Sequence, residues 1–323
     1  MTTGSAPTGS GGFPAADAQE GGRNAAPPSQ WAALDQRRLG QLMTAIEERT
    51  PEGRRSITAL QQHDWPGITV GITGPPGCGK STLVSALICE LRRRDEAVGV
   101  LAVDPSSRRT GGALLGDRVR MMDFATDSRV LIRSLGSRGN AGGLTPAVVD
   151  LARLLRAAGY GWTLTETVGV GQGEVEIAAQ ADVTLVVQSP GAGDDIQAMK
   201  KGLLEVADLW VVNKADLPGA DQLILDLTTW TADTPEKICR TNALSGEGVA
   251  ALVDRIIQSR DASPSSAAPS EVRAAEIRRE ALILLSAHLD RRLRDHPLPP
   301  GDTWQAAEQI VAEIVSGDFT PDL

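Results

Sequence analysis

The chain has 323 residues, enough for two or three average domains, and its 41% hydrophobic and 23% charged residues are ordinary for a globular protein. Only 3% of the residues are aromatic, whereas 34 Gly and 19 Pro are present, which excludes fibrous and aromatic-rich classes. The formal net charge of −9 has the wrong sign for general binding to nucleic acids or to anionic membranes.

The number and spacing of the cysteines and histidines indicate the cellular compartment and which cofactors the chain can bind. Cys78, Cys89 and Cys239 are scattered along the chain, which favours reduced thiols in the cytosol over a disulfide framework. No Cys or His pair has metal-ligand spacing, and the DxHxxG run of cobalamin-binding domains is missing, so we expect that this chain alone binds no cobalamin. No apolar run approaches the roughly twenty residues of a membrane helix. We therefore expect a cytoplasmic protein that binds neither membrane nor nucleic acid.

The N-terminal region contains two different segments. Residues 1–30 are mostly Gly, Ser, Ala, Pro and Thr, which cannot bury enough surface to offset the entropy of ordering, and they predict a disordered tail. From Trp31 onward, apolar residues recur at helical spacing. This pattern predicts an N-terminal helical extension over residues 31–65, with a helix that ends before Pro51.

The central region, residues 66–258, alternates short β-rich runs with helical stretches. The β-rich runs are residues 68–73, 98–103, 130–132, 162–165, 183–187, 209–212 and 238–241. Continuous apolar runs between helices indicate a mainly parallel sheet that is covered on both faces. We therefore expect a doubly wound α/β fold.

The C-terminal region begins with a polar, small-residue, Pro-containing stretch at residues 259–270, which is typical of a linker. Residues 271–323 follow with two helical patterns. They predict a C-terminal helical segment.

A phosphate-binding loop is indicated directly after the first predicted strand. The residues that fit GxxxxGK[ST] and open the next helix are Gly74, Pro75, Pro76, Gly77, Cys78, Gly79, Lys80, Ser81 and Thr82. In such loops the backbone amides and the helix N-terminus face the phosphates, the lysine bridges the terminal phosphates, and the Ser hydroxyl binds magnesium. A Gly/Pro turn before a helix would explain the glycines but not Lys80-Ser81. The motif therefore predicts a P-loop NTPase.

A base-recognition motif follows the sixth β-rich run. Asn213, Lys214 and Asp216 have the spacing of the guanine motif, in which the aspartate accepts two hydrogen bonds that adenine cannot offer. A third base-contacting loop, whose amides would reach the guanine O6, is expected at Asn242, Ala243 and Leu244. Ordinary strand-to-turn exits remain the alternative for both segments.

Acidic residues follow two of the predicted strands. Glu166 resembles a switch II acid and Asp104 directly follows the second β-rich run, while Asp117 lies further along the chain. Each of them could equally be a helix cap or a solvated loop acid. Together with Ser81 they supply the oxygen ligands that magnesium prefers.

Several long blocks resemble one family. The blocks GPPGCGKST, VDPSSRRTGGALLGDRVRM, IRSLGSRGNAGGL, ETVGVGQGE, QSPGAGDDIQAMKKG and VVNKAD, in this order, resemble the MeaB/ArgK family of P-loop GTPases over residues 31–321. The resemblance implies a Mg²⁺-dependent GTPase with helical extensions at both ends. It also implies a chaperone that docks on an adenosylcobalamin-dependent acyl-CoA mutase, gates its cofactor loading, and protects or reactivates it.

The resemblance also implies particular catalytic residues. They are Lys80, Glu166, Gln172 and Lys200, of which Lys200 lies in an additional switch loop that couples hydrolysis to the mutase. Gly173 stands where the family usually has Ser, and Gln172 is the nearest candidate for orienting the attacking water. We therefore expect slow intrinsic turnover that depends on the partner. The resemblance is compatible with a homodimer.

Three alternative functions differ in the features they require. A nickel-insertion GTPase of the hydrogenase or urease type carries Cys/His ligands near its switches, which this sequence lacks. A signal-recognition-like targeting GTPase needs a methionine-rich module, yet the chain has only 5 Met. A small-molecule kinase that uses ATP has no need for the guanine motif.

Overall fold

The computed structural model describes residues 31–104, 124, 126–136, 147–167, 180–191, 207–231, 235–262 and 303–316, together with single residues between 274 and 293. The chain divides after Pro264 into two units, and each is described by itself. The predicted tail at residues 1–30 lies outside the described residues, as does most of the predicted linker.

The described part of the first unit contains a sheet of seven parallel strands. The strands are β1 (Ile68–Thr73), β2 (Val98–Asp104), β3 (Val130–Gly136), β4 (Trp162–Thr167), β5 (Val183–Gln188), β6 (Leu209–Val212) and β7 (Ile238–Arg240). Their order across the sheet is β3-β2-β4-β1-β5-β6-β7. The order reverses at β1, and open α/β sheets bind ligands at the carboxyl ends of strands beside such a reversal. The predicted doubly wound fold is confirmed, because all seven predicted runs are strands.

Helices cover both faces of this sheet. Those described in the first unit are α1 (Gln36–Glu47), α2 (Pro51–Leu60), α3 (Lys80–Arg93), α4 (Ala147–Ala157), α5 (Ala220–Thr231) and α6 (Val249–Ala262). On one face, α3 and α6 bury Leu87 and Val253 in the same core as Val70. On the other face, α4 and the two N-terminal helices bury Leu151 with Leu101. Because both faces are covered, strands β1, β4, β5 and β6 are buried along their whole length, whereas a half-exposed strand would alternate between buried and exposed residues.

The N-terminal extension contains two helices, whereas the sequence predicted one. Asp35 caps α1 by accepting a hydrogen bond from the Arg38 amide at 2.7 Å, and Thr50 caps α2 through the Gly53 amide at 3.2 Å. Pro51 is the first residue of α2. Proline is favoured at this position because the first helical amide needs no intrahelical acceptor. The proline that ends one helix in the sequence interpretation thus also begins the next.

The contact between α1 and α2 leaves no room at Gly53. A Cβ atom there would lie 2.1 Å from the Ala45 carbonyl oxygen, whereas a Cβ at Gly40 of α1 would have nothing within 4 Å. We expect Gly53→Ala to lower the free energy of unfolding by about 1–3 kcal/mol, because the helices must separate. The control Gly40→Ala should raise it by roughly 0.4–1 kcal/mol. Urea denaturation checks both, and a Gly53→Ala protein as stable as wild type would contradict this contact.

The end of the central region differs from the prediction. Helix α6 continues to Ala262, so the predicted boundary at residue 258 and the first part of the predicted linker at residues 259–270 are helical. Gln258 to Asp261 are polar but have no strong helix breaker, and they lie on partly or fully exposed positions of the helix. The helix therefore continues into the stretch that its polarity assigned to the linker.

The second unit contains helix α7 (Thr303–Ser316) and single helical residues between 274 and 293. Large apolar side chains are exposed on it, among them Leu285, Leu289 and Trp304. Along the described parts of the chain, no helix combines the length and the apolar character that crossing a membrane requires.

Candidate functional site

The phosphate-binding loop connects β1 to α3 at the carboxyl edge of the sheet. Gly74 and Gly79 have φ angles of 142° and 94°, a backbone conformation that residues with a side chain rarely adopt. A Cβ at Gly74 would lie 2.1 Å from the Val187 carbonyl oxygen, and one at Gly79 would lie 2.5 Å from Asn213 Nδ2. Glycine is therefore required at both positions by backbone conformation and by close neighbours.

Lys80 is the first residue of α3 and is almost fully buried. Its Nζ donates to the carbonyl oxygens of Gly74 at 2.8 Å and Pro75 at 3.0 Å. The ammonium group is thus held against the loop that precedes its own helix. Its positive charge lies beside the loop that the motif assigns to phosphate.

Ser81 and Glu166 meet at the same edge. The Ser81 hydroxyl donates to Glu166 Oε1 at 2.7 Å, and both side chains are buried. Glu166 is opposite Ile72 in the pairing of β4 with β1, which brings the acid beside the start of α3. Hydroxyl and carboxylate oxygens are ligand types that magnesium prefers, and these two lie close together. The pair therefore fits a magnesium site.

Asp104 ends β2, next to the carboxyl end of β4, since Val103 pairs with Thr167. Its backbone therefore lies at the same edge as Glu166, while its side chain is outside the described part of the structure. Asp117, Gln172 and Lys200 also lie outside the described residues.

Asn213 joins three loops. Its Nδ2 donates to the Cys78 carbonyl oxygen at 3.0 Å, and its Oδ1 accepts from the Ala243 amide at 3.1 Å and the Thr241 hydroxyl at 3.3 Å. Only 2% of Asn213 is exposed, so these hydrogen bonds are protected from water. The side chain thereby connects the phosphate-binding loop to the segment after β7.

The next residues of the motif point in different directions. Lys214 has a φ of 55°, and its Nζ donates to the Gly77 carbonyl oxygen at 2.7 Å. Asp216 is exposed and lines an open cavity. The other residues that line this cavity are Ala215, Arg240, Thr241, Asn242 and Glu247. The carboxylate is therefore accessible to a ligand, whereas Asn213 and Lys214 support the loop from behind.

The segment after β7 is held by its own hydrogen bonds. Asn242 Oδ1 accepts from the amides of Leu244 at 3.1 Å and Ser245 at 3.3 Å, and Leu244 is 89% exposed. The Ala243 and Leu244 amides, which the sequence interpretation assigned to guanine O6, both have acceptors within the protein. A base carbonyl at this position would have to share or replace one of these acceptors.

Cys78 contributes through its backbone. Its side chain is buried, and burial raises the pKa of the thiol, partly opposed by the nearby charge of Lys80. The thiol form is therefore favoured, which lowers its reactivity as a nucleophile. The Cys78 carbonyl, in contrast, accepts the hydrogen bond from Asn213.

Removing the Asn213 side chain should destabilise the chain strongly. Asn213→Ala leaves the buried Ala243 amide and Cys78 carbonyl without their acceptor and donor, so the free energy of unfolding should fall by about 2–4 kcal/mol. Asn242→Ala is the matched control, because its hydrogen bonds are exposed. It should cost about 1 kcal/mol or less. Urea denaturation compares the two, and equal losses would mean that burial of the Asn213 contacts is not decisive.

Sequence reasoning missed several residues at this edge. Thr241 donates to Asn213, and the hydroxyls of Thr73 and Thr167 are hydrogen-bonded at the ends of β1 and β4. Arg240 and Glu247 line the cavity of Asp216. The only available signal was position: Thr73 and Thr241 end predicted strands, Arg240 lies within one, and Thr167 and Glu247 come after one.

Relatives of this chain are found by sequence. The family model described as Methylmalonyl Co-A mutase-associated GTPase MeaB matches residues 39–297. A protein of Pyrococcus abyssi whose name includes the word GTPase is 38% identical over 315 residues, which cover 88% of this chain and 95% of the relative. The methylmalonic aciduria type A homolog of Mus musculus, a mitochondrial protein, is 36% identical over 199 residues, or 57% of this chain and 47% of the relative.

A solved structure is also similar to this chain over most of its length. The crystal structure of LAO/AO transport system kinase superposes with a TM-score of 0.61 at 25% identity, over 88% of this chain and 89% of the other. The family model covers most of the chain. This protein therefore belongs to the MeaB family of methylmalonyl-CoA mutase-associated GTPases and is itself a P-loop GTPase.

Proposed function

We propose that this GTPase is a chaperone of an adenosylcobalamin-dependent acyl-CoA mutase, whose cofactor loading it gates and which it protects or reactivates. The match to the mutase-associated family model over residues 39–297 carries this proposal. The similarity to the methylmalonic aciduria type A homolog supports it. In this proposal the chain itself binds guanine nucleotide and magnesium, whereas cobalamin belongs to the mutase.

The nucleotide would lie along the carboxyl edge of the sheet, from Glu166 to Asp216. The loop amides and Lys80 bind the phosphates, because Lys80 already lies beside the loop and is buried. Asp216 accepts from the guanine ring, since its carboxylate is exposed in a cavity at the other end of the edge. Asn213 fixes the distance between these two ends through its hydrogen bond to Cys78.

Ser81 and Glu166 would hold magnesium, with Asp104 and Asp117 as the further carboxylates. Magnesium, when bound, supplies charge neutralisation at the phosphate oxygens. The protein residues contribute positioning: Lys80 neutralises the terminal phosphates, and Glu166 keeps the Ser81 hydroxyl oriented. Hydrolysis would then proceed by in-line attack of water that Gln172 orients, with Lys200 coupling this step to the partner. Intrinsic turnover would be slow.

The domain boundaries proposed for these roles follow the sequence. Residues 66–258 would form the GTPase domain, continued in helix α6, and residues 31–65 and 271–323 would be N-terminal and C-terminal helical extensions. A homodimer is compatible with this arrangement.

Nucleotide-dependent association tests the chaperone role. Purified full-length chain and methylmalonyl-CoA mutase would be mixed with GDP, with a non-hydrolysable GTP analogue or with the matching ATP analogue, and separated by size exclusion. We expect a complex whose stability differs between the two guanine nucleotides, whereas the ATP analogue should have no effect. The other acyl-CoA mutases would be tested in the same way. Failure of every mutase to co-elute in any nucleotide state would refute the proposal.

A kinase activity is the second candidate, since the superposed crystal structure is that of a protein called a transport system kinase. The two candidates differ in the fate of the γ-phosphoryl group. A GTPase without any acceptor releases one inorganic phosphate for each GTP consumed. A kinase would instead require an acceptor, and phosphate release to water would be negligible.

A further inference from the structure

Strand β4 carries three threonines on one face. Thr163, Thr165 and Thr167 alternate with Leu164 and Glu166, so their side chains point away from the face that α3 covers. All three are buried, at 5% exposure or less. Burying a hydroxyl costs free energy unless it finds a hydrogen-bond partner, so the partners of these side chains distinguish their roles.

Only one of these hydroxyls has a hydrogen bond among the described residues. Thr167 Oγ1 donates to Thr73 Oγ1 on the neighbouring strand β1, at 3.3 Å. The hydroxyls of Thr163 and Thr165 are buried and have no hydrogen-bond partner in the part of the chain that the structure describes. The pair at the carboxyl edge is therefore different from the other threonines of the same strand.

The position of this pair connects two parts of the site. Thr73 directly precedes Gly74, the first residue of the phosphate-binding loop, and Thr167 directly follows Glu166. Glu166 points to the opposite face of the sheet, where it accepts from Ser81. Thr167 therefore lies on the opposite face of β4 from the Glu166 carboxylate, and the backbone between the two residues joins them.

We propose that Thr167 is a positioning residue whose hydrogen bond to Thr73 fixes the Glu166 carboxylate relative to Ser81 for magnesium binding. This inference rests on the proposed assignment of Ser81 and Glu166 to magnesium, but not on the mutase partnership. In the strand pairing, Thr167 is matched with Val103 of β2, whereas the register between β4 and β1 ends at Glu166. The hydroxyl pair adds a second attachment at that end, on the face opposite the carboxylate.

The test is a magnesium titration of nucleotide release. The dissociation rate of a fluorescent GDP from the full chain would be measured from metal-free buffer to excess Mg²⁺, which gives the Mg²⁺ concentration of half-maximal slowing. Thr167→Val should raise this midpoint about fivefold, the effect of losing one hydrogen bond. Thr167→Ser keeps the hydroxyl and should restore the wild-type midpoint. GDP release in metal-free buffer should be the same for all three proteins.

Thr165→Val is the matched control, because the change is identical on the same strand and face but removes a hydroxyl that has no hydrogen-bond partner among the described residues. Its midpoint should stay within about twofold of wild type. Thr73→Val removes the other half of the pair and should reproduce the shift of Thr167→Val. The double variant should shift no further, since both changes remove one shared interaction.

Three results would overturn the inference. They are an unchanged midpoint in Thr167→Val, an equal shift in Thr165→Val, and additive shifts in the double variant. A wild-type protein whose GDP release ignores Mg²⁺ would overturn both this inference and the magnesium assignment. A normal titration in a protein that binds no mutase would refute the chaperone role and leave this inference standing.

Discussion

Replacing Lys80 with methionine is expected to lower the rate of GTP hydrolysis by at least about a hundredfold, the usual cost of removing one donor that stabilises charge in the transition state. Lys80 is 7% exposed and its Nζ lies 2.8 Å from the Gly74 carbonyl oxygen, so the charge is held at the phosphate-binding loop and largely shielded from water. Methionine keeps much of the buried aliphatic stem and removes the charge. The measurement is single-turnover phosphate release at saturating GTP.

The control for this change is Lys237→Met. Lys237 precedes β7 and lies at the amino edge of the parallel sheet, opposite the candidate site. Its replacement should leave the rate of GTP hydrolysis within about twofold of wild type, because a charge at the opposite edge of the sheet is screened from the site. Thermal melting of both variants would show whether they are folded at the assay temperature. A folded Lys80→Met protein that hydrolyses GTP within tenfold of wild type would contradict the role of Lys80.

Replacing Asp216 with asparagine should exchange the preferred base. The carboxylate can accept two charge-assisted hydrogen bonds from guanine, each worth about 1.5–3 kcal/mol, so GTP affinity should fall by at least about a hundredfold. Affinity for xanthosine triphosphate should rise, because the amide donates where the carboxylate could only accept. The exposure of Asp216 in its cavity makes this contact accessible. Calorimetry with both nucleotides checks the exchange.

Asp221→Asn is the matched control for Asp216. Asp221 lies five residues further along the chain and forms an exposed ion pair with Arg240, which lines the same cavity, but Asp221 itself does not line it. Its replacement should leave the preference for GTP over xanthosine triphosphate unchanged. If Asp216→Asn kept the wild-type preference, or if Asp221→Asn lost it, the guanine contact would be assigned to the wrong residue.

The sheet could be predicted because its strands are buried on both faces. A run such as Ile68–Thr73 is fully buried and continuously apolar or small, and a phosphate-binding motif follows it directly. The parallel arrangement then follows from helices between successive strands. The order of the strands in the sheet is harder to predict from the sequence, because the pairing of β4 with β1 joins segments that are far apart in the chain.

Helix boundaries were less predictable, because the same residue type can end or begin a helix. Pro51 was interpreted as a terminator, but it is the first residue of α2 and Thr50 provides the cap. At the other end of the first unit, the polar residues before Ala262 continue α6 without packing into the core. Local composition does not distinguish an exposed helical turn from a linker.

For the candidate site, sequence spacing identified the loops but not their mutual contacts. The motifs named Ser81, Glu166 and Asn213, whereas the hydrogen bonds among them depend on the register between strands. The pairing of Thr167 with Thr73 could not be inferred for this reason, since it requires adjacent strands to end at the same level. The internal acceptors of the Ala243 and Leu244 amides likewise depend on side-chain conformation.

Steady-state GTP hydrolysis during a titration with purified methylmalonyl-CoA mutase tests the proposed partnership most directly. The concentration of the full-length chain would be held constant at saturating Mg²⁺ and GTP while the mutase concentration is increased. The same titration would then be repeated with each of the other acyl-CoA mutases. Turnover should rise by at least about tenfold and reach a plateau, because the partner orders groups that position the attacking water. A rate that stays at its intrinsic value across the titrations with every acyl-CoA mutase would contradict the chaperone role.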